Sequence, residues 1–364
     1  MRWAAVVAVL IVLMPSTGHA AVPARAPQAP LPARAPAAPT EMCRITDPGV
    51  TEVSGLAVTP TGYLVENDSN PDPAKTRVFT LDKACRVTGS VQYPTTARDP
   101  EDLAVDRKGT LWIADIGDNG PMTGGSGTRR STIALWTMAA GSKELKIHRL
   151  VYPDGVPRDA EALLIDGKGR PVIVTKDPNG EVFRLDTPLP TDNTAGAKLT
   201  RVGAFEPQRT GTSNPLGFLG IAWVTGAAVS ADGTKAVVRT YADAYEFEVK
   251  GGDVAAAITS GKATVTALPD EPQGEAIAYT ADGASLLTVS DQDGPAVILR
   301  YPSGLKATPP TSAAPSPPAQ AQAQAQTRTA PEPKRSARAP LLLGAFTVVA
   351  LMLVAAVARR ARRR

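Results

Sequence analysis

The sequence predicts an all-β fold, a β-propeller of four-stranded blades, and three observations carry the prediction. A hairpin-like unit recurs five times between Ser54 and Asp291. Each copy is followed by further strand-like runs, so that a four-strand plan repeats about every 50 residues. No apolar pattern of helical period interrupts the series.

The unit is clearest at Asp99–Asn119. Glu101 precedes the apolar run Leu103-Ala104-Val105. Asp106–Gly109 is a polar turn whose glycine supplies φ > 0. A second run, Thr110–Ala114, leads into the acid-rich Asp115-Ile116-Gly117-Asp118-Asn119. The first unit is Ser54–Ser69, the third Glu161–Asp177, the fourth Thr225–Tyr241 and the fifth Glu275–Asp291. Third strands are expected at Val78–Leu81, Thr132–Trp136, Val182–Leu185, Tyr245–Val249 and Val297–Tyr301. Fourth strands are expected at Cys85–Val91, Leu145–Val151, Leu199–Val202 and Ala263–Leu268. The fifth unit has none of its own, and Met42–Thr46 near the N-terminus is left over to supply it. First and last blades would then be clasped together, leaving no open edge. A two-sheet sandwich would not predict the missing strand. The blade count is five, or six if Gly203–Val224 hides degenerate strands.

The flanks read differently. Residues 1–20 carry Arg2, the apolar run Trp3–Met14 and small residues at Gly18 and Ala20, the pattern of a secretory signal peptide. Residues 21–40 are a Pro/Ala-rich linker, and residues 304–340 a Pro/Ala/Gln-rich stalk with too little apolar surface to fold. Leu341–Ala358 is uncharged over eighteen residues, about 27 Å of helix, enough for a transmembrane span. Five arginines in residues 359–364 place that end in the cytoplasm. The expected protein is single-pass in the cell membrane, with residues 41–303 outside and monomeric.

Between Glu41 and Tyr301 there are 26 Lys and Arg against 34 Asp and Glu, a net charge of −8. The basic excess of the whole chain lies in its flanks, so a nucleic-acid-binding face is excluded. Cys43 and Cys85 are the only cysteines. Outside the membrane they are expected to pair, and the clasp would bring Cys43 beside Cys85.

In a propeller, the start of each first strand and the end of each second strand meet at one mouth of the central channel. The first set is Ser54, Glu101, Glu161, Thr225 and Glu275. The second includes Asn67, Asp68, Asp115, Asp118, Lys176, Arg239 and Asp291. Such oxygen-rich acids suit Ca²⁺, and glutamates sharing a channel need a cation or Lys176 and Arg239 to offset their repulsion. No Gly-x-Ser-x-Gly, P-loop or dinucleotide fingerprint occurs. His148 falls in an outer strand, away from any catalytic triad. Arg129-Arg130 reads as a solvated loop pair, and the sequon Asn67-Asp68-Ser69 as a turn.

The strings Pro-Glu-Asp-Leu-Ala-Val (100–105), Ala-Glu-Ala-Leu-Leu-Ile (160–165) and Gly-Glu-Ala-Ile-Ala-Tyr (274–279) resemble those of the phytase-like (esterase-like) β-propellers. The run Asp-Ile-Gly-Asp-Asn after the second strand is similar to a group of secreted bacterial propeller proteins. The resemblance implies that Glu101, Glu161, Glu275 and Asp115 are calcium ligands and that Lys176 and Arg239 face an anion. The chain is shorter than those phytases, and Ser54 and Thr225 stand where acids would be wanted. The reading is therefore a recognition or scaffold module for a peptide, glycan or small anionic ligand. A metal-dependent phosphoesterase is the alternative.

Overall fold

The computed structural model describes residues 38–118, 129–177, 179–292 and 294–306. Its strands form five sheets. The chain opens with β1 (Thr40–Ile45), then builds blade 1 from β2 (Val53–Thr59), β3 (Gly62–Asn67), β4 (Arg77–Asp82) and β5 (Val87–Gln92). Blade 2 is β6 (Pro100–Val105), β7 (Leu111–Asp115), β8 (Ile133–Met138) and β9 (Lys146–Val151). Blade 3 is β10 (Ala160–Ile165), β11 (Pro171–Thr175) and β12 (Glu181–Arg184), followed by β13 (Ala197–Lys198) and β14 (Thr200–Ala204). The two residues of β13 pair in parallel with β9, extending blade 2, while β14 completes blade 3. A short helix, α1 (Phe218–Ala222), precedes blade 4: β15 (Val224–Val229), β16 (Lys235–Thr240), β17 (Asp243–Glu248), helix α2 (Val254–Ile258) and β18 (Thr264–Ala267). Blade 5 is β19 (Gly274–Tyr279), β20 (Ser285–Ser290) and β21 (Ala296–Pro302), with β1 as its outer strand.

The expected clasp is present: Thr40 pairs with Arg300 and Ile45 with Ala296. Gly203–Val224 holds the end of β14, a loop and α1 but no further blade, so the count is five. Neither α1 nor α2 was expected; each is five residues long, too short to carry a periodic signal.

Each blade lies between two others, so both faces of its inner strands are covered. That explains the near-continuous burial of β7, β11, β16 and β20 in place of alternation. The core is divided into five apolar clusters, one at each blade interface, including the seam between blades 5 and 1. Cys43 of β1 is bonded to Cys85 in the β4–β5 turn, with Cα atoms 5.8 Å apart, which locks that seam. The turn at Asp106–Gly109 is structural, as expected. Asp106 accepts from the amides of Lys108 and Thr110 and from the Trp112 indole, and Gly109 has φ 77°.

Below the mouth the channel is crossed by a side chain. Asp102, fully buried in β6, accepts from the Leu163 amide of β10 at 2.8 Å and the Ala227 amide of β15 at 3.2 Å. Burial pushes its carboxyl well above the ordinary value, although three amides oppose the shift. At the far end of the channel the chain leaves the propeller. Lys235 donates to the carbonyls of Gly283, in the β19–β20 turn, and of Leu305. Ser303 and Gly304 are held on Glu246. Among the described residues no helix is long and apolar enough to cross a membrane. The signal-peptide, stalk and transmembrane segments read from the sequence fall outside the described residues, apart from the first three residues of the stalk.

Candidate metal centre and ligand pocket at the channel mouth

All five inner strands carry a β-bulge at one equivalent place. The registers slip between Val53 and Gly55, Pro100 and Asp102, Ala160 and Ala162, Val224 and Gly226, and Gly274 and Ala276. The extra residues are Ser54, Glu101, Glu161, Thr225 and Glu275, the full first set expected from the sequence. A bulge re-aims the side chain it carries. Here the two hydroxyls latch neighbouring blades: Ser54 donates to the Pro100 carbonyl at 3.1 Å and Thr225 to the Gly274 carbonyl at 2.8 Å. The three glutamates line a cavity of about 240 Å³ together with Ser54, Glu52, Asp68, Lys176, Trp223, Tyr241, Gln273 and Asp291.

Two aspartates join them. Carboxylate oxygens of Asp68, Asp99 and Glu101 lie within 4.8 Å of one another, and so do those of Glu101, Asp159 and Glu161. Glu101 belongs to both triads. Burial, then the charges of Glu161, Asp68 and Asp99, holds the Glu101 carboxyl well above the usual range. Glu161 is raised chiefly by burial against the opposing pull of Lys176. Asp68 is pushed up to about 7, first by burial and then by Asp99. Burial works against the Lys176 ammonium, but Glu161, Tyr241, Glu275 and Glu101 outweigh it and keep the lysine above its ordinary value. Its Nζ donates to Glu161 Oε1 at 2.8 Å and lies 5.8 Å from the centre of the Tyr241 ring. Glu275, 7% exposed, accepts on Oε1 from Gln273 at 3.1 Å, while its buried Oε2 has no hydrogen-bond partner.

Four expected mouth residues serve other ends. Asn67 is buried and clamps a loop, donating to the Gly49 and Lys75 carbonyls and accepting from the Thr51 amide. That leaves its amide nitrogen engaged and its sequon a turn. Asp115 accepts from the amides of Arg98 and Asp99, from the Trp136 indole and from Arg130 Nη1 at 2.8 Å. Asp118 accepts from Arg129 and from the Arg130 amide. Arg130 is therefore buried in an ion pair, not solvated. Arg239 is fully buried and paired with Glu271 at 2.9 Å, with a further bond to the Ala276 carbonyl across the blade interface. For Asn67 and Asp115 the reason is register. Asn67 and Asp115 are the last residues of their strands, paired with Val53 and Pro100. The side chain that reaches the mouth is the next one along, Asp68, Lys176, Tyr241 and Asp291, while Ile116 at the equivalent place in blade 2 packs between blades 2 and 3. A one-residue step turns a side chain to the other face.

The sequence reading also missed Asp99 and Asp159, although a signal was present. Arg98-Asp99-Pro100-Glu101 and Arg158-Asp159-Ala160-Glu161 share Arg-Asp-x-Glu. The aspartate sits two residues before the bulge, where the other blades have Glu52, Trp223 and Gln273.

These donors are hard oxygens, the set that Ca²⁺ takes. Five acids in two triads that share Glu101, with the Lys176 ammonium bonded to Glu161 among them, fit a cation. Asp68, Asp99, Glu101, Asp159 and Glu161 would hold it, and it would supply charge compensation and a Lewis-acidic centre for an oxygen ligand.

No protein-family model and no curated protein matches the chain. Among solved structures it is similar to the PQQ-bound aldose sugar dehydrogenase of Streptomyces coelicolor, at 15% identity over 74% of this chain and 99% of that one, with a TM-score of 0.38. A gluconolactonase from Xanthomonas campestris matches at 11% identity over 69% of this chain and 72% of that one, with a TM-score of 0.37. Streptogramin B lyase matches at 10% over 68% and 65%, with a TM-score of 0.32. These are likenesses of fold. At such identities they say nothing about the chemistry at this chain's mouth.

Proposed function

We propose that the protein is a ligand-recognition β-propeller whose channel mouth holds Ca²⁺, carried outside the cell on a single membrane anchor. The observation that carries the mouth is the pair of carboxylate triads sharing Glu101. Carboxylates this close and this buried repel one another, and a bound cation removes the repulsion. The phytase-like strings agree with calcium. The anchor rests on the apolar run Leu341–Ala358 and its arginines. It is consistent with the exit of the chain at Ser303–Leu305, at the channel end away from the mouth.

The phosphoesterase alternative needs cations to seat a phosphate, and with Arg239 buried against Glu271 the mouth keeps Lys176 alone of the two expected. Recognition is therefore the better reading. The test is to strip the full-length protein with chelator, add back calcium, and follow melting temperature and phosphate-ester turnover together. Saturable stabilisation without turnover is the expected result; at a calcium concentration a hundred times Kd it amounts to about 2.7 kcal/mol. Turnover abolished by Glu161→Gln would establish the esterase instead, and no thermal shift would remove the metal.

A further inference from the structure

A second cavity opens on the same face. It runs over the clasped seam between blades 5 and 1, walled by the β1–β2 connection on one side and by Pro272, Gln273 and Asp291 on the other. Its volume, about 1180 Å³, exceeds the roughly 300–1,000 Å³ of small-molecule pockets. Glu52, Gln273 and Asp291 line both this groove and the mouth, so the two are continuous. Gln273 marks the junction: its amide nitrogen donates to Glu275 Oε1 on the mouth side at 3.1 Å and to Asp291 Oδ2 on the groove side at 2.9 Å. Glu275 Oε2 is buried there without a hydrogen bond within 3.5 Å, Lys176, Arg239 and Tyr241 acting on the carboxyl from further off.

We propose that groove and mouth form one site for an extended peptide with basic side chains, one of which is seated at the junction lined by Glu52, Glu275 and Asp291. The inference rests on the recognition reading of the mouth and adds the ligand's class. Three arguments select a basic peptide. Among the described residues the groove's charged lining is Asp47, Glu52 and Asp291 against Lys75, so it repels acidic polymers and attracts cations. Its uncharged polar groups, Thr46, Thr51, Asn70, Gln273 and Gln292, supply the mixed donors and acceptors that a peptide backbone uses. Among the described residues no aromatic ring lines it, so a sugar face has nothing there to stack on. The two carboxylate triads stand apart from Glu52, Glu275 and Asp291 in composition, so calcium and a ligand ammonium do not compete for the same carboxylates.

The probe is a dansyl-labelled Ala-Lys-Ala-Lys-Ala-Lys peptide, titrated with calcium-loaded full-length protein in non-ionic detergent and read by fluorescence polarisation. Saturable binding that weakens at least tenfold in Glu52→Gln/Asp291→Asn is expected. The equal charge change in Glu144→Gln/Glu248→Gln, on exposed side chains of other blades, should leave it unaltered. Equal loss in both double variants, absence of saturable binding, equal binding of the Ala-Glu counterpart, or displacement by maltohexaose below the peptide's own concentration would each overturn the proposal. Calcium-dependent melting is recorded on the same samples. Glu52 and Asp291 lie outside both triads, so the calcium shift persists in the first double variant. Its absence in the unaltered protein would count against the metal alone.

Discussion

Glu101 occupies a bulge in β6 and lends its carboxylate to both triads, so its neighbours on either side depend on it. Glu101→Gln should therefore abolish most of the calcium-induced rise in melting temperature, whereas Asp159→Asn, which touches one triad, should remove part of it. At about 2–4 °C per kcal/mol for a domain of this size, differential scanning calorimetry separates the two. Asp68 gives a pH signature. Its carboxyl is raised from 3.8 to about 7 in the fold, so the native state binds the proton more tightly than the unfolded chain. The Asp68 contribution to stability is then fully present below about pH 4, is lost as pH rises to 7, and stays absent above it. In chelator, melting temperature should drop across that window. Asp68→Asn should flatten the slope, and calcium should reverse the drop, which a pH series of melts reads directly. The glutamates were legible in the sequence because an acid before an apolar run stands out. Asp99 and Asp159 were not, because each sits in a loop where polar residues are ordinary. Only their shared Arg-Asp-x-Glu context distinguished them.

The bulge is the element that makes the mouth, and it was invisible before the registers were known. A repeat locates a strand to within a residue or two, but one residue decides which face a side chain takes. Asp68, Lys176 and Asp291 line the mouth, whereas Asn67 and Asp115, one residue before it, turn away, and Arg239, two residues before Tyr241, is held by Glu271. Arg239 in β16 points between blades 4 and 5, where Gly274 leaves room; a Cβ on Gly274 would collide with the guanidinium. Arg239→Ala strands Glu271 without its charge and should cost about 3–5 kcal/mol, measured by urea unfolding, while the calcium shift per bound ion is retained. The Ser54 and Thr225 latches are smaller: Thr225→Val removes one neutral hydrogen bond, worth about 1 kcal/mol. A Thr225→Val protein that lost its calcium shift would mean that the hydroxyl belongs to the site and not to the blade interface.

For the molecule as a whole, the ring, its five blades and its clasp were all legible, because a missing outer strand at one end and a spare one at the other admit few arrangements. The interior tie of Asp102 to two other blades was not, since nothing in an apolar strand announces a carboxylate that spans the channel. The disulfide closes a separation of 42 residues, and its loss in Cys43→Ser should cost about 4 kcal/mol in the chain-entropy model, measured by the same urea unfolding. It also bears on the order of assembly. Cys43 and Cys85 lie at the start of the chain, yet the strand carrying Cys43 finds its partner, β21, only after every blade has been made. A chain emerging from its N-terminus can thus bond Cys43 to the first blade while the last is still unsynthesised. A bond made that early would park β1 beside the gap as a docking strip, so that the final strand would meet a waiting template instead of searching for a loose end.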